Sequence, residues 1–434
     1  MDKMADVLGR AGAWCGQNKY LSAIKNAFQN FMPLTIAGAI GVLWCNVLVN
    51  DQTGLGLFFK PIMALDFLNP AFQAVNFCTI SCITVGITLG IAQEIGVWNM
   101  GAERAGYIPG LVGLAAWLSV TNTSHMVEGA KEAFTGIAGN ELGATGLFTG
   151  MIIGVLSVEL FCFFEKQDAL KIKMPEQVPP GVARAFEVLV PATITLIITA
   201  CIGSACYNLT GLYLNDVIKN GIQGPLGAVG ATIPGVMIIY LVIMLFWLVG
   251  IHGNNMLSAV KEALFTPLAL ENVEKFNKGE KPTNIINMYF LQMCGEFGGS
   301  GVTIGLVIAI MIFGKREDNK AIASLSLVPG LFNINETVTF GIPMVLNPIL
   351  GIPFVFACLV TILVGYVLTV IGFCPVACLT VPWTTPPIVF GFLATGANVM
   401  GAVTQAILIV VSTVIYVPFL ISYEKYQNKQ AAEA

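Results

Sequence analysis

The chain has 434 residues, 56% of them hydrophobic and only 11% charged, with a formal net charge of −4. Soluble domains carry about a quarter charged residues, so a soluble globular fold is excluded, and with no basic tract no nucleic-acid partner is indicated. Many segments approach the roughly 20 apolar residues that cross a bilayer as a helix, which predicts an all-α polytopic membrane protein.

The opening stretch "MDKMADVLGRAGAWCGQNKYLSAIKNAF" lacks a continuous apolar core and a small-residue cleavage site, unlike a signal peptide. Met4, Val7, Leu8, Trp14, Leu21, Ile24 and Phe28 recur at helical spacing among polar residues, predicting an interfacial amphipathic helix before the first span. Apolar runs then predict spans near 31–49, 72–92, 107–121, 144–164, 188–208, 229–250, 300–314, 348–372 and 399–422. Basic residues mark the amino-terminal segment (Lys3, Arg10, Lys19, Lys25), the segment "EKQDALKIKMPEQVPPGVAR" and the tail (Lys425, Lys429). The positive-inside rule puts all three, and so both termini, in the cytoplasm.

That alternation fails once. "ENVEKFNKGEK" (271–281) and "KREDNK" (315–320) both read as cytoplasmic, yet one obvious span separates them. The interval holds "CGEFGGSG", with Glu296 among glycines, so a broken or re-entrant element is expected there. Two further segments are too polar or proline-rich for smooth helices: "LVPGLFNINETVTFGIPMVLNP" (327–348) and "CPVACLTVPWTTPPIVFGF" (374–392). Irregular backbone at membrane depth survives only when buried in protein or lining a polar cavity, and it points to a transporter binding site. The interruptions divide the chain into 1–229, a broken-helix region 230–400, and a last span with its tail, 401–434.

His252 in "FWLVGIHGNNML" follows a long apolar run and lies between glycines that permit a turn and close approach. An ionisable ring at that depth reads as a functional group, whereas the same ring beyond a helix end would sit at the water interface. Asn254 and Asn255 follow it with two amides. Glu336 in "NINETVTFG" is flanked by Asn333, Asn335, Thr337 and Thr339, a donor and acceptor set suited to sugar hydroxyls, or to an internally paired structural carboxylate. Trp383 in "VPWTTPP", with Thr384 and Thr385 beside it, offers an aromatic face for a sugar ring. Trp247 lies five residues before His252 and need not share its face; either tryptophan also fits an interfacial belt. Gly299 and Ser300 in "GGSG" could present backbone N–H groups to a hydroxyl or anion, although glycines also serve helix packing, and no GK[ST] follows as a phosphate loop would require.

The eleven cysteines make no CxxC pair and no zinc spacing, and read as small packing residues; no metal or cofactor is expected. His125 lies in a polar stretch and reads as a loop or lining residue, and Glu159 near a span end can snorkel. Hydrolase patterns are absent.

In order, "NAFQNFMPLTIAGAI", "GIHGNNML", "FGGSGVTIGL", "GLFNINETVTFGIPMVLNP" and "VPWTTPP" closely resemble the membrane component, enzyme IIC, of the bacterial phosphoenolpyruvate-dependent phosphotransferase system, in its lactose, cellobiose and diacetylchitobiose family. The resemblance covers essentially the whole chain. It implies about ten transmembrane helices with re-entrant hairpins, a dimerising interface domain over 1–229, a transport domain over 230–400, and elevator-type movement in the bacterial cytoplasmic membrane. It also implies a homodimer that carries a disaccharide and presents it to the phosphocysteine of a separate enzyme IIB. The family's "GIHG" histidine and "INE" glutamate, both substrate-site residues, fall on His252 and Glu336, to which the resemblance gives catalytic roles. Asn254, Glu296, Gly299, Ser300, Asn333, Asn335, Trp383 and Thr384 complete the expected sugar site. Thr337 stands where related sequences often carry proline, and Glu296 where an apolar residue is expected; Glu296 itself could bind a hydroxyl. Two other readings compete: an ion-coupled sugar symporter using Glu296 or Glu336 as proton carrier, and a non-transporting membrane sugar sensor.

Overall fold

The computed structural model describes residues 9–11, 13–14, 17–51, 55–125, 134–175, 177–342 and 344–433. Met4, Val7 and Leu8 of the expected amphipathic helix lie outside them. The described chain is almost wholly helical, and its small sheet is one antiparallel pair, Ser124–His125 with Phe134–Thr135. Five helices are long and apolar enough to cross a membrane: Lys19–Leu48, Ala144–Glu165, Pro180–Thr210, Gly351–Val370 and Val399–Glu433. Two bent pairs raise the number to seven, and Ile108–Val120 and Ile233–Leu248 are shorter apolar helices. The protein is therefore a helical membrane protein. Several apolar runs that look like full spans in the sequence are shortened or broken where glycine, proline and asparagine enter them.

The chain forms two compact units. One contains Gln17–Gly38 and Ala74–Ala228. Within it α1 (Ile83–Met100), α2 (Ile108–Val120), α3 (Ala144–Glu165) and α4 (Pro180–Thr210) pack together around Ala116, Trp117, Val120 and Ile153. Small residues set the spacing, since lipid gives no hydrophobic drive between helices. A Cβ on Gly113 would fall 2.3 Å from Ala92 Cβ, and one on Gly150 2.2 Å from Thr88 Oγ1. At one end of the bundle the buried Glu165 carboxylate binds Arg104 and Arg184 at 2.8 and 2.9 Å, and Glu187 binds the same two arginines, each at 2.8 Å. Glu159 pairs with Lys19 at 2.7 Å, and the His125 ring lies over Phe134 in the hairpin.

The other unit contains Ala39–Gln73 and Val229–Ala434. It runs through α5 (Ile233–Leu248), the single turn α6 (Gly253–Met256), α7 (Ser258–Asn277), α8 (Met288–Gly295), α9 (Ile304–Phe313), α10 (Glu317–Leu331), the short α11 (Glu336–Gly341), α12 (Gly351–Val370), α13 (Val389–Ala394) and α14 (Val399–Glu433). The break expected at "CGEFGGSG" is present: Met288–Val302 and Ile304–Phe313 meet at 59°. Gly298, Gly299 and Gly301 take φ of 69°, 87° and 74° there.

Helix α14 is the axis of this unit and packs on α9, α12 and α13. Its 35 residues extend about 50 Å at the helical rise, well beyond a hydrocarbon core of about 30 Å. Within the apolar part, Gln405 accepts the N–H groups of Ile388 and Gly391, both at 2.7 Å, and donates to Met293 O at 3.1 Å. Near the end, the buried Glu424 carboxylate accepts the N–H groups of Lys315 and Arg316 at 2.8 and 3.3 Å and the Asn319 amide at 3.1 Å. It thereby satisfies donors that lead into α10, which no intrahelical carbonyl can reach.

Replacing Glu424 by alanine strands these donors, and detergent-solubilised Glu424→Ala protein is expected to lose about 1–3 kcal/mol in denaturant unfolding. Gly299 combines φ 87° with ψ −175°, a region open essentially to glycine alone, and an added Cβ would meet Asn335 Cβ at 2.6 Å. Gly299→Ala is expected to lower the unfolding midpoint by an amount matching about 1–3 kcal/mol. An unchanged midpoint would show that the break does not depend on this conformation.

Candidate functional site

Helix α5 ends at Leu248, and Gly250, at φ 81°, turns the chain. His252 then caps α6: its Nδ1 accepts the Asn255 N–H at 3.2 Å, a hydrogen shared with the His252 carbonyl at 3.1 Å. A ring nitrogen that faces an N–H is the acceptor, so the neutral ring carries its proton on Nε2. That Nε2 lies 3.9 Å from Glu336 Oε1, with the two side chains 39% and 47% exposed. The turn also lays the His252 ring against Trp247, with centroids 4.5 Å apart. The five-residue spacing that seemed to separate them is undone by Gly250. Trp247 is buried and meets Phe354 edge-on, so it belongs to the core.

Glu336 begins α11, where its charge is favoured by the helix N-terminus. The asparagines before it secure the loop. Buried Asn335 donates to Ser300 O at 2.9 Å. Asn333, at φ 63°, accepts the Gly298 N–H at 2.7 Å and donates to Trp383 O and Thr385 O at 2.5 and 3.0 Å. The glycine-rich break thus holds the Glu336 loop, and that loop holds the proline-rich segment with Trp383. The Trp383 side chain is 45% exposed and Thr384 is partly exposed beside it.

The same break holds the histidine arm. Asn254 Nδ2 donates to Ser300 Oγ at 2.9 Å, and Asn254 Oδ1 accepts from Lys261 Nζ at 3.4 Å. Lys261, buried, forms an ion pair with Glu296, whose Oε1 also accepts the Tyr240 hydroxyl at 2.7 Å. Of the residues expected to meet sugar, His252 and Glu336 face each other, and Trp383 and Thr384 stay accessible. Asn254, Ser300, Asn333 and Asn335 bond to one another, to backbone and, for Asn254, to Lys261; Gly299 lies against Asn335, and Glu296 is internally paired. Lys261 and Tyr240 escaped the sequence reading; the available signal was a lysine two helical turns after Asn254, on the same face. Tyr289 and Thr380, whose hydroxyls meet at 2.5 Å in the buried interior, also escaped it. No group of three or more histidine, cysteine or acidic side chains able to hold a metal occurs among the described residues.

The family model described as phosphotransferase system, EIIC matches residues 25–358. The chain is 33% identical over 429 residues to the oligo-beta-mannoside-specific EIIC component of Bacillus subtilis, covering 98% of this chain and 94% of that protein. It is 29% identical to the cellobiose-specific EIIC component of Lactococcus lactis, covering 98% of each. A lactose-specific EIICB component of Streptococcus mutans is 27% identical over 96% of this chain and 71% of its own length. Among solved structures, the transporter ChbC, the IIC component from the N,N'-diacetylchitobiose-specific phosphotransferase system, superposes with a TM-score of 0.88 at 29% identity and 97% coverage of both chains. The chain belongs to the EIIC family of the phosphotransferase system, the membrane permease components of that system.

Proposed function

We propose that this protein carries a disaccharide of the cellobiose, diacetylchitobiose or lactose type across the bacterial cytoplasmic membrane and presents it to a phosphorylated enzyme IIB. The observation that carries this reading is the accessible pair of His252 Nε2 and Glu336 Oε1, 3.9 Å apart and framed by broken helices. A sugar hydroxyl seated between them receives a hydrogen bond from His252 Nε2–H and gives its own to Glu336. As the hydroxyl oxygen attacks the phosphorus of phosphocysteine, the S–P bond breaks and the proton passes to the Glu336 carboxylate. Because Nδ1 is engaged with the Asn255 N–H, the imidazole acts as donor and the carboxylate as base. Trp383 covers an apolar sugar face, with Thr384 at its edge. Gly299, Ser300, Asn254, Asn333 and Asn335 shape the cradle, and Glu296 acts from behind it.

The partner role of enzyme IIB is supported by relatives named EIICB, in which the chain matched here is only part of a longer protein. Both termini face the cytoplasm in this reading. The Gln17–Gly38 and Ala74–Ala228 unit serves homodimerisation, and the other unit is the elevator that moves the sugar, with the short and broken helices bringing the crossings to about ten. The pairing of Glu296 with Lys261 weighs against a symporter that uses Glu296 as its proton carrier.

Uptake of radiolabelled cellobiose, diacetylchitobiose and lactose by membrane vesicles tests the function. Phosphorylated sugar is expected to accumulate only with phosphorylated enzyme IIB and to survive collapse of the proton gradient; gradient-driven accumulation of free sugar would identify a symporter. Glu336→Gln is expected to lower phosphotransfer at least about 100-fold and to weaken binding, and His252→Gln to lower it about tenfold because the amide keeps a donor. Normal phosphorylated uptake by either variant would remove that residue from the chemistry. Trp383→Ala is expected to raise KM about tenfold with kcat little changed, and equal KM values would place that ring away from the sugar.

A further inference from the structure

Lys261 and Glu296 form a charge pair inside the unit, and no step of the transfer uses either charge. Both are expensive to hold there, since each must be taken out of water and repaid by close partners. Their partners point one way. Lys261 Nζ reaches Glu296 and also Asn254 Oδ1 at 3.4 Å, while Tyr240 OH donates to Glu296 Oε1 at 2.7 Å. An asparagine amide can sit either way round, and a cation beside one end decides which. With the oxygen of Asn254 turned to the ammonium, its Nδ2 must face Ser300 Oγ, where it lies at 2.9 Å. Ser300 is the residue whose carbonyl holds Asn335, the neighbour of Glu336, at 2.9 Å. Asn254 in turn lies in the single turn that His252 caps.

We propose that Lys261 and Glu296 are positioning residues for phosphotransfer: the pair fixes the Asn254 amide, and through Asn254 and Ser300 it sets the separation of His252 from Glu336. Tyr240 holds the Glu296 carboxylate from α5, so the pair is anchored on the helix that leads into the histidine turn. Neither charge touches the sugar. This rests on the function proposed above, because it assigns the pair's effect to the same reactive site.

The test is the double variant Lys261→Met/Glu296→Gln, which removes both charges together so that neither member of the pair is left as a lone ion. Purified wild-type and variant proteins in proteoliposomes are compared for sugar binding and for phosphotransfer from phosphorylated enzyme IIB. The probe is whichever of cellobiose, diacetylchitobiose and lactose the wild type takes up. The double variant is expected to keep KM within about threefold while kcat falls about tenfold or more, because a displacement near 1 Å at a reacting group has effects of that order. Lys261→Arg, which retains the ion pair but not the compact ammonium beside Asn254, is expected to fold and to show the same split to a smaller degree. Wild-type kcat in the double variant overturns the proposal, as does a fall in binding and turnover together in Lys261→Arg. Should the double variant fail to fold, Lys261→Arg decides alone: unchanged kcat overturns the proposal. If the wild type itself transfers no phosphoryl group to any of the three sugars, it is the proposed function that fails.

Discussion

Backbone N–H and C=O groups have no water to bind at membrane depth, so every break in a helix there must be satisfied from within the protein. This constraint governs the Val229–Ala434 unit, and side-chain amides meet it. Asn272 donates to Asn284 O and Ala377 O, and Asn287 donates to the same Ala377 carbonyl while its oxygen caps the start of α8. Gln405 closes the start of α13 from the middle of the last span, and Asn333 and Asn335 close the loop before Glu336. The broken elements are therefore tied together by side-chain amides, which hold the loops that carry His252 and Glu336.

The charges follow a second logic. In the Gln17–Gly38 and Ala74–Ala228 unit, ions gather at helix ends, as in the network of Glu165, Glu187, Arg104 and Arg184. In the other unit one pair, Lys261 with Glu296, sits in the interior beside the site. Losing one member of such a pair leaves a bare buried charge at a cost of roughly 3–5 kcal/mol, whereas removing both is often close to neutral. Each member is thus constrained by the other more strongly than by its surroundings. His252 and Glu336, by contrast, stay accessible.

Much of this was legible in the residues. A charged fraction of 11% settles the class, and a histidine between glycines and a glutamate among asparagines, both in apolar surroundings, mark the two side chains that the fold brings face to face. The failed alternation of basic loops points to the interval that holds the break at Gly298–Gly301. What stayed hidden needs three dimensions. Lys261 and Glu296 are 35 positions apart and meet only because α7 and the end of α8 come together. Trp247 reaches His252 through a left-handed glycine that spacing alone cannot announce. The asparagines were legible as polar residues at a site, but an amide that binds sugar and an amide that binds backbone look identical in a sequence. The number of spans suffers likewise, because apolar composition does not tell a crossing helix from a bent pair.

The glycine-rich turn carries its three dependants by separate bonds: the histidine arm through the Ser300 hydroxyl, the glutamate arm through the Ser300 carbonyl, and the tryptophan segment through the Gly298 amide by way of Asn333. Because Asn333 belongs to the loop that carries Glu336, the tryptophan segment and the glutamate arm share one support. One short turn of glycines is thus a common footing, and any shift in it reaches all three parts together.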